Sequence, residues 1–186
     1  SAHRARLATD LGPVDVFATH YASSSFNLEC ELGTFGCTAT CAEGDDFGDC
    51  HPRQTLAILG PLADDAVLQF VVGDLNAPID DSRITTLTDA GFADVYLTAG
   101  LPECDPVTGI GCTCCVDGPA PLDGLDNHDQ SMDERIDFVL FRPGSNCRVA
   151  VDDARHWADV PLAEPVEGLW WAADHAGVMA GLSVTC

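Results

Sequence analysis

Four short apolar runs, residues 14–18, 67–72, 136–141 and 177–184, constrain the fold of this chain more than any other feature. Each is too short for a stable helix and too continuous to alternate cleanly between core and water. Each therefore predicts a strand buried on both faces. The segments between them differ in character. Residues 51–65 carry Leu56, Ile58, Leu59 and Leu62 at helical spacing with Pro52 in the first turn, and Gly60-Pro61 ends or kinks that helix early. Asp80-Asp81-Ser82 reads as the N-cap of a helix through Thr88, followed by an extended piece over 93–97 and a short strand over 149–151. Strands interleaved with helices in mixed order predict an α/β fold with helices covering a sheet.

Two long stretches escape this pattern. Residues 22–52 and 99–134 are rich in Ser, Gly, Asp and Cys and poor in apolar anchors, so covalent links must supply the order that a core cannot. Ten cysteines in 186 residues, an even number, read as disulfides formed in an oxidising compartment, secreted, extracellular or periplasmic. Cys30, Cys37, Cys41 and Cys50 are expected to pair among themselves. Zinc is the competing reading for Cys112-x-Cys114-Cys115, but no second pair at regular spacing completes a finger or ribbon. The Asp117, Asp123, Asp126 and Asp129 stretch invites calcium, although its spacing fits no standard calcium loop, and a solvated acidic loop accounts for it better.

Charge bounds the partners. Eight arginines, no lysine and 30 acidic residues give a net charge of −22. Avid nucleic-acid binding rests on cationic side chains and is disfavoured by such a field, whereas hydrolysis through a bound cation is not. No stretch of about eighteen apolar residues is present, which speaks against a membrane-spanning helix.

The strands end in chemistry. Val71-Val72-Gly73-Asp74-Leu75-Asn76 delivers a carboxylate and a carboxamide to one side of a strand end, because residues two apart in an extended segment share a face. Such a pair can hold a hard cation and a phosphate oxygen together. The first run ends in Thr19-His20-Tyr21, the third opens with Arg135-Ile136-Asp137, and the fourth is preceded by Asp174-His175. Asp137 and His175 can meet at one sheet edge if their strands are neighbours, and a carboxylate-oriented imidazole is a general base. Alone, each of these residues reads as a turn cap or a hydrogen-bonded structural histidine. That they recur in order, each beside its own strand, is what independent caps would not produce.

Taken in sequence, Thr-His-Tyr, Arg53-Gln54, Gly-Asp-Leu-Asn, Arg-Ile-Asp and Asp-His, the chain resembles the endonuclease/exonuclease/phosphatase superfamily from about Arg4 to Leu182. The Thr113-Cys114-Cys115 element looks like one found in its secreted bacterial members. The resemblance implies the C-terminal half of a two-layer α/β sandwich, a mixed sheet with helices on one face and disulfide-rich loops, so that 1–186 forms a single partial domain. It implies His175 as general base oriented by Asp137, His20 against the scissile phosphate, Asp74 and Asn76 binding metal and orienting phosphate, and Asp174 as a metal ligand. Mg²⁺ is the implied cofactor, with Mn²⁺ or Ca²⁺ as alternatives. The family's N-terminal half carries an asparagine and a glutamate ligand with no counterpart here, since Glu29 and Glu31 follow the histidine, and Ala173 replaces a frequent serine. The implied function is a secreted metal-dependent phosphoesterase acting on nucleic acid, a phospholipid head group or a small phosphodiester. The alternative is a catalytically inactive structural or binding subunit that kept the fold. Either way, the missing N-terminal half or another chain is expected to cover the open sheet face.

Overall fold

The computed structural model describes residues 2–23, 41, 46–116 and 124–186. Its main sheet has five strands in the order β1-β2-β3-β5-β4, with β1 Ala2–Thr9, β2 Gly12–Thr19, β3 Leu68–Asp74, β4 Ala93–Asp94 and β5 Asp137–Pro143. β2 and β3 run parallel while β1, β4 and β5 pair antiparallel to their neighbours, so the sheet is mixed as expected. β6 Arg148–Trp157 and β7 Gly177–Thr185 form a separate antiparallel pair.

Alternation along the strands builds two layers. Phe17, Val71, Phe138 and Leu140 face the helices α1 Phe47–Leu59 and α2 Ser82–Asp89, where they bury Leu59, Ile84 and Leu87. Leu68 and Phe141 point the other way, toward Val149, Val151, Val178 and Leu182 of the β6–β7 pair. Helices thus cover one face of the main sheet, as the sequence predicts, and the separate β6–β7 pair partly covers the other, where the sequence led us to expect an open face. Cys147 and Cys186 flank the first and last paired residues of β6 and β7, and their disulfide ties that end together.

Three expectations need correction. α1 begins at Phe47 rather than near His51, because the Asp46 carboxylate accepts from the Asp49 N–H and caps the helix earlier, which leaves Pro52 inside it. The helix stops at Leu59, and Gly60–Leu62 continue as a 3₁₀ turn, the early end that Gly60-Pro61 predicts. The piece over 93–97 is only a two-residue bridge: the Asp94 carboxylate caps the Tyr96 N–H and starts the short helix α3 Val95–Thr98. The strand over 149–151 extends to ten residues as β6. β1 was not foreseen, since its eight residues are all exposed and carry Arg4 and Arg6 in place of an apolar pattern.

Among the described cysteines none is free: Cys41–Cys50, Cys104–Cys112, Cys114–Cys115 and Cys147–Cys186 are paired. Cys30 and Cys37 lie outside the described residues, as do Glu29, Glu31, Asp117 and Asp123. Asp126 and Asp129 are exposed and join no cluster of metal donors among the described residues. No described helix is long and apolar enough to cross a membrane. Trp171 is buried with Met132 and Leu125 and donates its indole N–H to the Asn127 carbonyl, which makes it a core residue.

Candidate active site at one edge of the main sheet

The topology brings the ends of three central strands to one edge. β2 and β3 are parallel and finish together, and β5 starts there because it runs antiparallel to β3. Within the β3–β5 ladder Asp74 lies directly opposite Asp137. Parity puts Asp74 on the same side as Leu68 and Phe70, and Asp137 on the same side as Val139 and Phe141, so both carboxylates emerge on the face that looks toward the β6–β7 layer.

Histidine completes the pair from the other layer. His175 precedes β7, and its Nδ1 lies 2.9 Å from Asp137 Oδ2. This hydrogen bond assigns the proton to Nδ1 and leaves Nε2 as the nitrogen with a lone pair to offer. Cys114 Sγ, 3.5 Å from Nε2, closes one side of it. The His175 pKa is raised above the ordinary imidazole value, first by the hydrogen bond to Asp137 and further by the charges of Asp137, Asp74 and Asp174, against the opposing effect of burial.

Asp74 is held in a different way. Its Oδ1 accepts the Asn76 N–H at 2.8 Å, a local turn that places Asn76 in the left-handed region at φ 51°, which asparagine tolerates better than most residues. The Asn76 carboxamide donates to the Tyr21 carbonyl at 3.0 Å, and the Tyr21 N–H donates to the Asp74 carbonyl. Asp74 Oδ2 lies 3.3 Å from His20 Nε2. The Thr-His-Tyr and Gly-Asp-Leu-Asn segments are thereby laced to each other. Gly73 makes the lacing fit: a Cβ there would lie 2.0 Å from the Thr19 carbonyl oxygen, and its φ of +126° is a conformation that side-chain-bearing residues rarely adopt. Burial raises the Asp74 carboxyl pKa, and the facing Asp137 charge adds to this, while the Asn76 N–H, His20 and His175 work against it.

Five of the six predicted residues, His20, Asp74, Asn76, Asp137 and His175, share this edge. One oxygen each from Asp74 and Asp137 and one nitrogen of His175 lie within 4.8 Å of one another. Asp174 is exposed and falls outside that trio, acting on His175 through its charge. The donor set fits a hard divalent cation: two half-buried carboxylates of like charge crowd together, and Asp74 is pushed toward protonation where no cation neutralises it. A hollow of ≈ 230 Å³ opens beside His20, between Tyr21, His51 and Gln54. A second, of ≈ 360 Å³, lies beside Ile136, between Ile79, Glu103 and Pro106.

Two supports lie in segments that the sequence marks, Arg135-Ile136-Asp137 and Thr113-Cys114-Cys115, without a role assigned to either residue. Arg135, 3% exposed, sends its guanidinium to Asp94 at 2.7 Å and to Glu103 at 2.6 Å and stacks over Phe138 at 4.6 Å, which anchors the chain just before Asp137. Thr113, 0% exposed, accepts from the N–H groups of Ile136 and Asp137. The adjacent cysteines marked this stretch, but nothing in them pointed to the hydroxyl.

No family model matches the chain and no curated protein matches it. Solved structures do. The endonuclease/exonuclease/phosphatase from Bacteroides vulgatus shares 18% identity at a TM-score of 0.55, with 99% of this chain and 55% of that chain covered. The TDP2 of D. rerio, complexed with a single-strand DNA product, shares 16% at 0.57 over 97% of this chain and 60% of that one. The mannosyl-6-phosphatase Bt3783 of Bacteroides thetaiotaomicron shares 10% at 0.57 over 92% and 51%. The chain therefore has the fold of endonuclease/exonuclease/phosphatase proteins, and it spans between 51 and 60% of the length of these three.

Proposed function

We propose that this chain is the C-terminal part of a metal-dependent phosphoesterase in which His175 activates water for attack on phosphorus. The observation that carries the reading is the 2.9 Å contact between His175 Nδ1 and Asp137, with the Asp74 carboxylate beside it at the same edge. Asp137 holds the imidazole in the tautomer whose Nε2 accepts a proton from water, and it stabilises the imidazolium that results. His20 donates to a phosphoryl oxygen, and Asn76 orients the same group. Asp74 and Asp174 would hold Mg²⁺ or Mn²⁺, which when bound supplies charge for the phosphoryl oxygens and the leaving oxygen. The raised Asp74 pKa supports this, because a carboxyl that resists ionising alone is one that a cation neutralises favourably.

The covered length supports a second part of the reading: the remaining portion of the domain, a preceding half in the same precursor or a separate chain, packs on the partly covered face of the main sheet and supplies the glutamate ligand. The paired cysteines favour an oxidising, extracellular or periplasmic setting. The structural neighbours range from a TDP2 complexed with a DNA product to a mannosyl-6-phosphatase, so the bond proposed for cleavage is a phosphoester, whatever molecule carries it.

Calorimetric titration with Mg²⁺, Mn²⁺ and Ca²⁺, followed by hydrolysis of an aryl phosphodiester and an aryl phosphomonoester, tests it on the chain alone and on the chain joined to the preceding half. The expected result is Mg²⁺ or Mn²⁺ binding lost in Asp74→Asn, and turnover only when both halves are present. A complete domain that binds metal and hydrolyses neither ester would leave the inactive-subunit reading in its place.

A further inference from the structure

Thr113 lies on a loop remote in sequence from both members of the histidine–carboxylate pair, yet its two polar groups reach the backbone on either side of that pair. Its hydroxyl oxygen accepts from the Ile136 N–H at 3.2 Å and the Asp137 N–H at 3.1 Å. Its carbonyl accepts from the Ala176 N–H at 2.7 Å, one residue beyond His175. The neighbouring residues repeat the pattern: the Val116 N–H donates to the Asp174 carbonyl, and the Cys114 carbonyl accepts from the Asp133 and Glu134 N–H groups. Cys112, immediately before Thr113, is fixed by its disulfide to Cys104.

The hydroxyl answers a local need. N–H groups alternate sides along an extended strand, so two consecutive ones can converge on a single oxygen only where the backbone turns, as it does on entry to β5. β4 pairs β5 only at Leu140 and Phe141, too far along to serve Ile136 and Asp137. Without a substitute acceptor these donors would be left without partners beside the site, an arrangement that folded proteins avoid.

We infer that Thr113 is a positioning residue for the proposed hydrolysis: one side chain and its carbonyl hold the Asp137 backbone and the residue after His175 at a fixed separation, and this sets the 2.9 Å contact between the two. The inference rests on the reading of His175 and Asp137 given above. Thr113 is fully buried and contributes no atom to the Asp74–Asp137–His175 donor cluster, so its removal is expected to act on turnover and not on ground-state binding.

The test compares Thr113→Val, which keeps shape and loses the acceptor, with Thr113→Ser, which keeps the oxygen. The readouts are the far-downfield proton resonance of the His175–Asp137 hydrogen bond, amide exchange at Ile136 and Asp137, and kcat and KM of the complete domain with an aryl phosphodiester. Thr113→Val is expected to lose the resonance, to speed exchange at both amides and to lower kcat roughly 10- to 100-fold with KM unchanged, while Thr113→Ser stays near wild type. Retention of the resonance and of kcat in Thr113→Val, or a Thr113→Ser protein as impaired as the valine variant, overturns the inference. Should Thr113→Val not fold, slow wild-type exchange at both amides together with rescue by serine supports it, and fast exchange or failed rescue overturns it. A wild type that shows the resonance but hydrolyses no phosphoester sinks the proposed function and leaves the structural arms to decide Thr113.

Discussion

Asp74 and Asp137 face each other across the β3–β5 ladder, two carboxylates on the same side of the sheet. Like charges directly opposite on neighbouring strands destabilise a sheet, so the pair is a cost to the metal-free fold. Because burial first, and then Asp137, raises the Asp74 pKa, the ionised form opposes folding. The favourable contribution is full below the unfolded-state carboxylate value and is lost as pH rises through the folded one. Asp74→Asn is therefore expected to melt higher than wild type near neutral pH in chelator, and Mg²⁺ or Mn²⁺ to reverse that order. Thermal melts of both proteins with and without metal check it, and an Asp74→Asn protein that melts lower in chelator contradicts it.

Hydrolysis by the complete domain should rise with pH along a limb set by His175, since only the neutral imidazole accepts a proton. The hydrogen bond that His175 donates to Asp137 raises that pKa, which places the limb above the ordinary imidazole range. Asp137→Asn removes the cause, so the limb should move to lower pH while the plateau falls on the order of 100-fold or more. A pH–rate profile of the two proteins decides, and an unmoved limb would mean that another group governs it.

Gly73→Ala should destabilise the chain by about 3 kcal/mol or more, combining a strained φ with a collision against a backbone carbonyl that cannot swing aside. Chemical denaturation measures this. The β2–β3 pairing beside it predicts that the loss is felt at the His20 end of the sheet first.

Arg135→Ala should cost about 3 to 5 kcal/mol, because it leaves Asp94, 5% exposed, as a buried carboxylate without its cation. Simultaneous Asp94→Asn should recover much of that loss. A double-mutant cycle read by denaturation tests the coupling, and additive losses would show that Arg135 acts mainly through its stacking on Phe138.

The strands and the site edge were legible in the sequence because both depend on local patterns: apolar runs fix β2, β3, β5 and β7, and their ends carry His20, Asp74, Asp137 and His175. What was not legible depended on contacts across the chain. β1 is exposed along its length and owes its place to pairing with β2, with Arg6 reaching Asp15 at 2.8 Å, which no periodicity announces. The start of α1 turned on one capping aspartate among several nearby acids. Thr113 and Arg135 act through partners some twenty to forty positions away, and separation of that kind is invisible without the fold.

Asp137 begins a strand of the main sheet and His175 leads into a strand of the smaller pair, so their hydrogen bond spans two layers that share no backbone ladder. It works as a gauge of registry between the layers. A slip of one ångström between them would leave each layer's own ladder whole and would still part the imidazole from its carboxylate. Under gentle denaturant, competence should vanish ahead of secondary structure, and whatever clamps the β6–β7 layer onto the main sheet, a neighbouring half of the domain above all, would act as an activator without touching the substrate.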